Sequence, residues 1–175
     1  MFTTLNQTYH SVRKQNVSVR INLSGLEVDI TPARKQAGNT DDHVIYLSKS
    51  DSWKQTNIPK HIKDISNSVR TNEIKILKIW RELHKLEFPS IYMEYLLVKN
   101  ILFHKSKDTK DIANNVWHIL NELAKNKENP LYAEIVDPAN SNNILSDLLT
   151  NEEKENIINQ AKETIKLRDW EQTVW

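Results

Sequence analysis

Val17-Ser-Val-Arg-Ile-Asn-Leu-Ser-Gly-Leu-Glu-Val-Asp-Ile-Thr-Pro-Ala33 is the stretch that decides the fold class. Val17, Val19, Ile21 and Leu23 recur at every second position, with Ser18, Arg20 and Asn22 between them. Side chains alternate between faces along a strand, so this spacing predicts a strand with one apolar face. Ser24-Gly25 reads as a tight turn, after which Leu26, Val28 and Ile30 alternate against Glu27, Asp29 and Thr31. Two alternating runs joined by a short glycine-containing turn predict a β-hairpin. Pro32 ends the second run, because proline has no N–H to give to a ladder. Arg34 to Asp42 reads as a polar loop, and His43–Leu47 as a third short strand.

Beyond this region the period changes. Ile74, Leu77 and Trp80, widened by Ile76, Ile79 and Leu83, give the apolar stripe of a helix from about Asn72 to Lys85. Phe88-Pro89 breaks it, and Ser90 is placed as N-cap of the next helix, which runs to about His104 and is apolar on most sides. Asp108 caps another helix through Ile112, Val116, Ile119 and Leu123. A last one starts near Thr150, with Glu152-Glu153 at its N-terminal end and Lys166 and Arg168 at the other, as the helix dipole favours. The expected fold is therefore α+β: antiparallel strands over residues 1–50, then a mainly helical lobe over 51–175.

Composition narrows the function classes. The net charge of +1 creates no global field toward long nucleic acid or membranes. The chain has no cysteine, which excludes thiol nucleophiles and cysteine-ligated zinc, and a cytoplasmic setting is expected. No stretch is long and apolar enough to span a bilayer. His10, His43, His61, His84, His104 and His118 never fall at i, i+4 spacing, so no helical metal pair arises.

Glu27 and Asp29 lie two apart on one strand, so both project from one face. Two hard oxygen donors side by side suit a divalent cation, and equally suit a solvated outer face. Lys78 sits in the apolar stripe of its helix. It either snorkels to water or offers a point charge to a triphosphate, together with the free N–H groups of the helix starting at Ser90. Trp53, read as lying in a polar loop, either covers that loop or stacks on a base.

Taken in order, these segments resemble one family. Leu26-Glu-Val-Asp-Ile-Thr-Pro-Ala33 is similar to the strand bearing the third catalytic carboxylate of oligoadenylate synthetases and bacterial cyclic-oligonucleotide synthases (cyclic GMP-AMP synthase-like). His43-Val-Ile-Tyr-Leu47 followed by Trp53-Lys-Gln-Thr-Asn-Ile-Pro59 resembles that family's short strand with Trp, Thr and Pro. Ile74-Lys-Ile-Leu-Lys-Ile-Trp80 resembles its spine helix, Phe88-Pro-Ser-Ile-Tyr-Met-Glu-Tyr-Leu-Leu97 its Pro-Ser segment, and Ile135-Val-Asp-Pro-Ala-Asn-Ser-Asn-Asn143 a motif near its C-terminal end.

The resemblance implies a template-independent nucleotidyltransferase of antiviral defence, using Mg2+ and ATP or another nucleoside triphosphate. It makes Asp29 a metal-binding catalytic carboxylate. Lys78 and Ser90 become triphosphate contacts, with Trp53 and Thr56 near the nucleotide pocket and Asp137, Asn142 and Asn143 structural. Nothing before residue 17 resembles the family's Gly-Ser and paired Asp-x-Asp segment. Clamping both oxygens of a phosphoryl transfer needs more than one carboxylate. The chain is therefore expected to be a truncated or split enzyme, inactive alone and partnered by nucleotide and a separately encoded N-terminal half. The alternative is a non-catalytic nucleotide-binding or partner-docking module built from the same lobe.

Overall fold

The computed structural model describes residues 2–9, 11–38, 40–48 and 51–167. The chain forms two compact units, Met1–Pro59 and Lys60–Trp175. The sequence expectations for His10 and Arg168 lie outside the described residues.

The first unit opens with helix α1 (Phe2–Thr8) and holds two three-stranded antiparallel sheets. In the first sheet β1 (Arg13–Lys14), β2 (Val19–Leu23) and β3 (Leu26–Ile30) lie in that order. The expected hairpin is β2–β3, with Leu23 opposite Leu26 and Arg20 opposite Asp29. Its turn places Ser24 and Gly25 at φ 52° and 89°, the left-handed pair that matches the twist of flanking strands. Asn22 Oδ1 fixes the turn by accepting from Gly25 N at 2.8 Å. The register puts Val19, Ile21 and Leu23 opposite Ile30, Val28 and Leu26 on one face. Val19 and Ile21 are buried there.

The second sheet is β4 (Ala33–Lys35), β5 (His43–Leu47) and β6 (Ser52–Thr56). Two expectations change here. The polar stretch after Pro32 begins as strand β4, because Ala33–Lys35 pairs with His43–Ile45. Trp53 lies on strand β6, not in a loop, and that strand pairs along all of β5. The first compact unit runs through β6 to Pro59.

The second unit is helical: α2 (Ile58–Asn67, whose first two residues belong to the first unit), α3 (Thr71–Leu83), α4 (Ser90–Leu96), α5 (Ile112–Leu123) and α6 (Asn151–Thr164). One turn of π-helix, Leu97–Ile101, extends α4. The core gathers Leu77 and Trp80 of α3, Tyr92, Met93 and Leu96 of α4, Ile119 and Leu123 of α5, and Ile157 of α6. Trp80 Nε1 donates to Thr164 Oγ1 at 3.0 Å, which satisfies its one polar atom in the core. The capping box expected at Thr150 is present, with Glu153 N on Thr150 Oγ1 and Thr150 N on Glu153 Oε2. Asp108 caps a short 3-10 turn (Thr109–Asp111) that leads into α5.

Two buried polar networks tie distant segments together. Arg70, 2% exposed, donates to Glu73 Oε1 and to the carbonyls of Leu102, Lys105 and Ser106. Asp137 accepts from His61 Nε2 at 2.8 Å, from Ala139 N at 2.8 Å and from Asn143 Nδ2 at 3.3 Å. The fold is thus α+β, antiparallel strands followed by helices. Among the described residues no helix is long and apolar enough to cross a membrane.

Candidate functional site

The expected site residues divide between the two units, and each group stands on its own. In the first unit, Arg20 on β2 faces Asp29 directly across the hairpin. Its guanidinium grips Asp29 twice, Nε to Oδ1 at 2.8 Å and Nη2 to Oδ2 at 3.0 Å. The third nitrogen, Nη1, donates to Glu27 Oε2 at 2.7 Å, and Arg13 Nη2 donates to Glu27 Oε1 at 2.8 Å. Glu27 and Asp29 do share one face, but all four carboxylate oxygens accept from a guanidinium. The Arg20 hydrogen bonds hold the Asp29 carboxyl below its usual range against some desolvation.

A divalent cation prefers several free oxygen donors. Among the described residues no group of three or more His, Asp or Glu could hold one. As arranged, then, these residues do not make a magnesium site by themselves.

Trp53 and Thr56 sit on the same strand three positions apart, so the pleat sends them to opposite faces. Trp53 is 64% exposed and its ring lies 5.4 Å from that of Tyr46, its cross-strand neighbour. Thr56 is buried. The two expected pocket residues are therefore not brought together.

In the second unit, Lys78 lies on α3 and Ser90 at the start of α4, and each bonds a residue of the other helix. Ser90 is not an N-cap: Pro89 takes that position, with φ −54° and ψ 129°, and Ser90 begins the helix. Its hydroxyl bonds across to α3, accepting from Arg81 Nη1 at 2.9 Å. The same nitrogen donates to Phe88 O at 3.0 Å. Lys78, three residues before Arg81 and hence on the same helix face, donates from Nζ to Glu94 Oε1 at 2.5 Å. Glu94 lies four residues after Ser90, one turn along α4. The result is a ladder of two cations on α3 against a hydroxyl and a carboxylate on α4.

Lys78 and Glu94 keep 34% and 18% of their side chains exposed, so the pair borders solvent. Arg81 and Glu94 were not among the expected site residues. Their spacing from Lys78 and Ser90 on amphipathic helices was the available signal.

No family model matches the chain, and no curated protein matches it. Two solved structures of CdnC of E. coli MS115-1 do share its fold. With CdnC in complex with HORMA-deltaN, the likeness covers 98% of this chain at a TM-score of 0.60 and 21% identity. With CdnC plus ATP, it covers 93% at a TM-score of 0.63 and 22% identity. The chain spans 64% and 62% of those two CdnC chains.

Proposed function

We propose that this chain, which shares its fold with close to two thirds of a CdnC nucleotidyltransferase, is the nucleotide-receiving part of an enzyme making cyclic or linear oligonucleotides from nucleoside triphosphates in a bacterial antiviral defence system in the cytoplasm. The observation that carries this reading is the Lys78–Glu94 and Arg81–Ser90 ladder between α3 and α4. An ammonium and a hydroxyl on successive rungs of this ladder are hydrogen-bond donors suited to phosphate oxygens. That one CdnC structure was solved with ATP supports the same ligand class.

Glu94 then holds Lys78 until a polyphosphate, carrying more charge than one carboxylate, displaces it. Asp29 is the one carboxylate offered toward phosphoryl transfer. With Arg20 on it, and its neighbour Glu27 likewise held by Arg20 and Arg13, the chain does not carry out transfer by itself. Isothermal titration calorimetry with ATP tests the reading: wild type binds, Lys78→Ala weakens binding at least tenfold, and neither releases pyrophosphate. Equal binding by both proteins would refute it.

The occupied carboxylates favour a second reading, a non-catalytic module that binds nucleotide or docks on a partner. That partner would be a separately encoded catalytic half, or a HORMA-type protein of the kind found with CdnC. Gel filtration with each candidate separates these cases.

A further inference from the structure

We infer that Arg81 is a positioning residue that commits the Ser90 hydroxyl to donating, so that the α3–α4 site selects ligands rich in acceptor oxygens; this rests on the nucleotide reading above. A serine hydroxyl has one proton and two lone pairs. Arg81 Nη1 donates into the oxygen of Ser90 at 2.9 Å. Arginine has no acceptor to offer in return, so the proton of Ser90 must leave in another direction. Among the described residues, Ser90 Oγ donates to none. The proton is free for a ligand acceptor, and a positive neighbour on the oxygen polarises it toward donation.

The arginine is held firmly in this role. Both N–H groups of Nη1 are used, one on Ser90 and one on Phe88 O at 3.0 Å. The backbone carbonyl of Arg81 also accepts from Leu86 N at 3.0 Å, so one residue clasps the α3–α4 turn from both ends. The side chain is 21% exposed, which limits its freedom to swing away. With Lys78 one turn away, the face presents an ammonium and an oriented O–H; Glu94 holds the ammonium, and the exposed Glu82 carboxylate lies 3.8 Å from Arg81 Nη2. Phosphate oxygens, which only accept, fit it. A free ribose hydroxyl gains much less.

A purely structural clasp predicts a different outcome from a positioning residue, and a double-mutant cycle separates them. ATP affinity is measured by calorimetry for wild type, Arg81→Gln, Ser90→Ala and the double variant, with circular dichroism confirming the fold. Arg81→Gln is expected to weaken ATP about tenfold in the Ser90 background, the scale of a hydrogen bond to a charged group, and less than about twofold in the Ser90→Ala background. Adenosine binding should change less than about twofold throughout. Arg81→Lys, which keeps charge and one donor, should recover part of the loss and serves if Arg81→Gln does not fold.

Equal weakening in both backgrounds would overturn the proposal, leaving Arg81 a turn clasp or a direct phosphate contact. No effect of Arg81→Gln while Ser90→Ala weakens ATP would also overturn it and leave the nucleotide reading standing. If Ser90→Ala and Lys78→Ala are both silent, the nucleotide reading fails and this inference fails with it.

Discussion

Replacing Arg70 by alanine removes a guanidinium that serves four acceptors at once. Glu73 Oε1 lies at 3.1 Å, Leu102 O at 3.0 Å, and Lys105 O and Ser106 O each at 2.5 Å. Among the described residues, Glu73, 3% exposed, would keep only Asn115 Nδ2 at 2.9 Å as a side-chain donor. Removing one partner of a buried ion pair costs about 3–5 kcal/mol, because the remaining charge stays desolvated. Leu102 O keeps Lys105 N at 3.1 Å and Ser106 O keeps Asn115 Nδ2 at 2.9 Å, so among the described residues only Lys105 O is left without a donor, about 1–3 kcal/mol that water entering the vacated volume largely offsets. The expected loss is therefore about 4 kcal/mol, a large share of the roughly 5–15 kcal/mol that holds a domain together. Urea unfolding followed by far-UV circular dichroism, which reports mainly the helices, measures it. The double variant Arg70→Met, Glu73→Leu removes both charges and should regain at least half of the loss. A loss below about 1 kcal/mol for Arg70→Ala would refute the claim that this network holds α3 to the segment after α4.

Three further outcomes are expected. Leu77→Ala, at a fully buried position in the core between α3 and α4, should lower stability by about 2–5 kcal/mol in the same urea assay. Burial holds both His84 and His118 below the ordinary histidine value, with the Lys105 charge adding to the effect on His118. The unfolded chain thus takes up protons first, so stability is full above about pH 6.5 and falls as pH drops through the lowered folded values. The double variant His84→Gln, His118→Gln should flatten that slope between about pH 7 and 5. Arg20→Ala should change stability by less than about 1 kcal/mol, since the Asp29 pair is surface-exposed. It should also raise the Asp29 titration midpoint toward its ordinary value, as read by carboxyl NMR, because the Arg20 hydrogen bonds are what lower it.

The hairpin was legible because its code is local. Period-two alternation sets the faces, and Ser24-Gly25 supplies the left-handed turn. The capping box at Thr150 is equally local, with all its atoms within three residues. Helix α2 was missed because its inner face is not an apolar stripe. His61 is buried there against Asp137, a partner 76 residues away that no window can see. Ile62, by contrast, is 62% exposed.

Ser90 misled for a related reason. Serine before an apolar run is a good N-cap, but Pro89 already provides the extended entry, and the hydroxyl finds Arg81 across the turn. Lys78 and Ser90 each bond a different residue of the facing helix, Glu94 and Arg81, whereas Trp53 and Thr56 part company through the pleat of β6. What decides the ladder's chemistry, the pairing of each member with a polar group on the facing helix, depends on tertiary geometry and left only a spacing clue.

The most direct test of the central claim is a crystal structure of the full chain with ATP. The account predicts phosphate oxygens within hydrogen-bonding distance of Lys78 Nζ and Ser90 Oγ, with Glu94 displaced from Lys78 and Arg81 still donating to Ser90. ATP bound elsewhere, or the Lys78–Glu94 pair intact beside bound nucleotide, would contradict it.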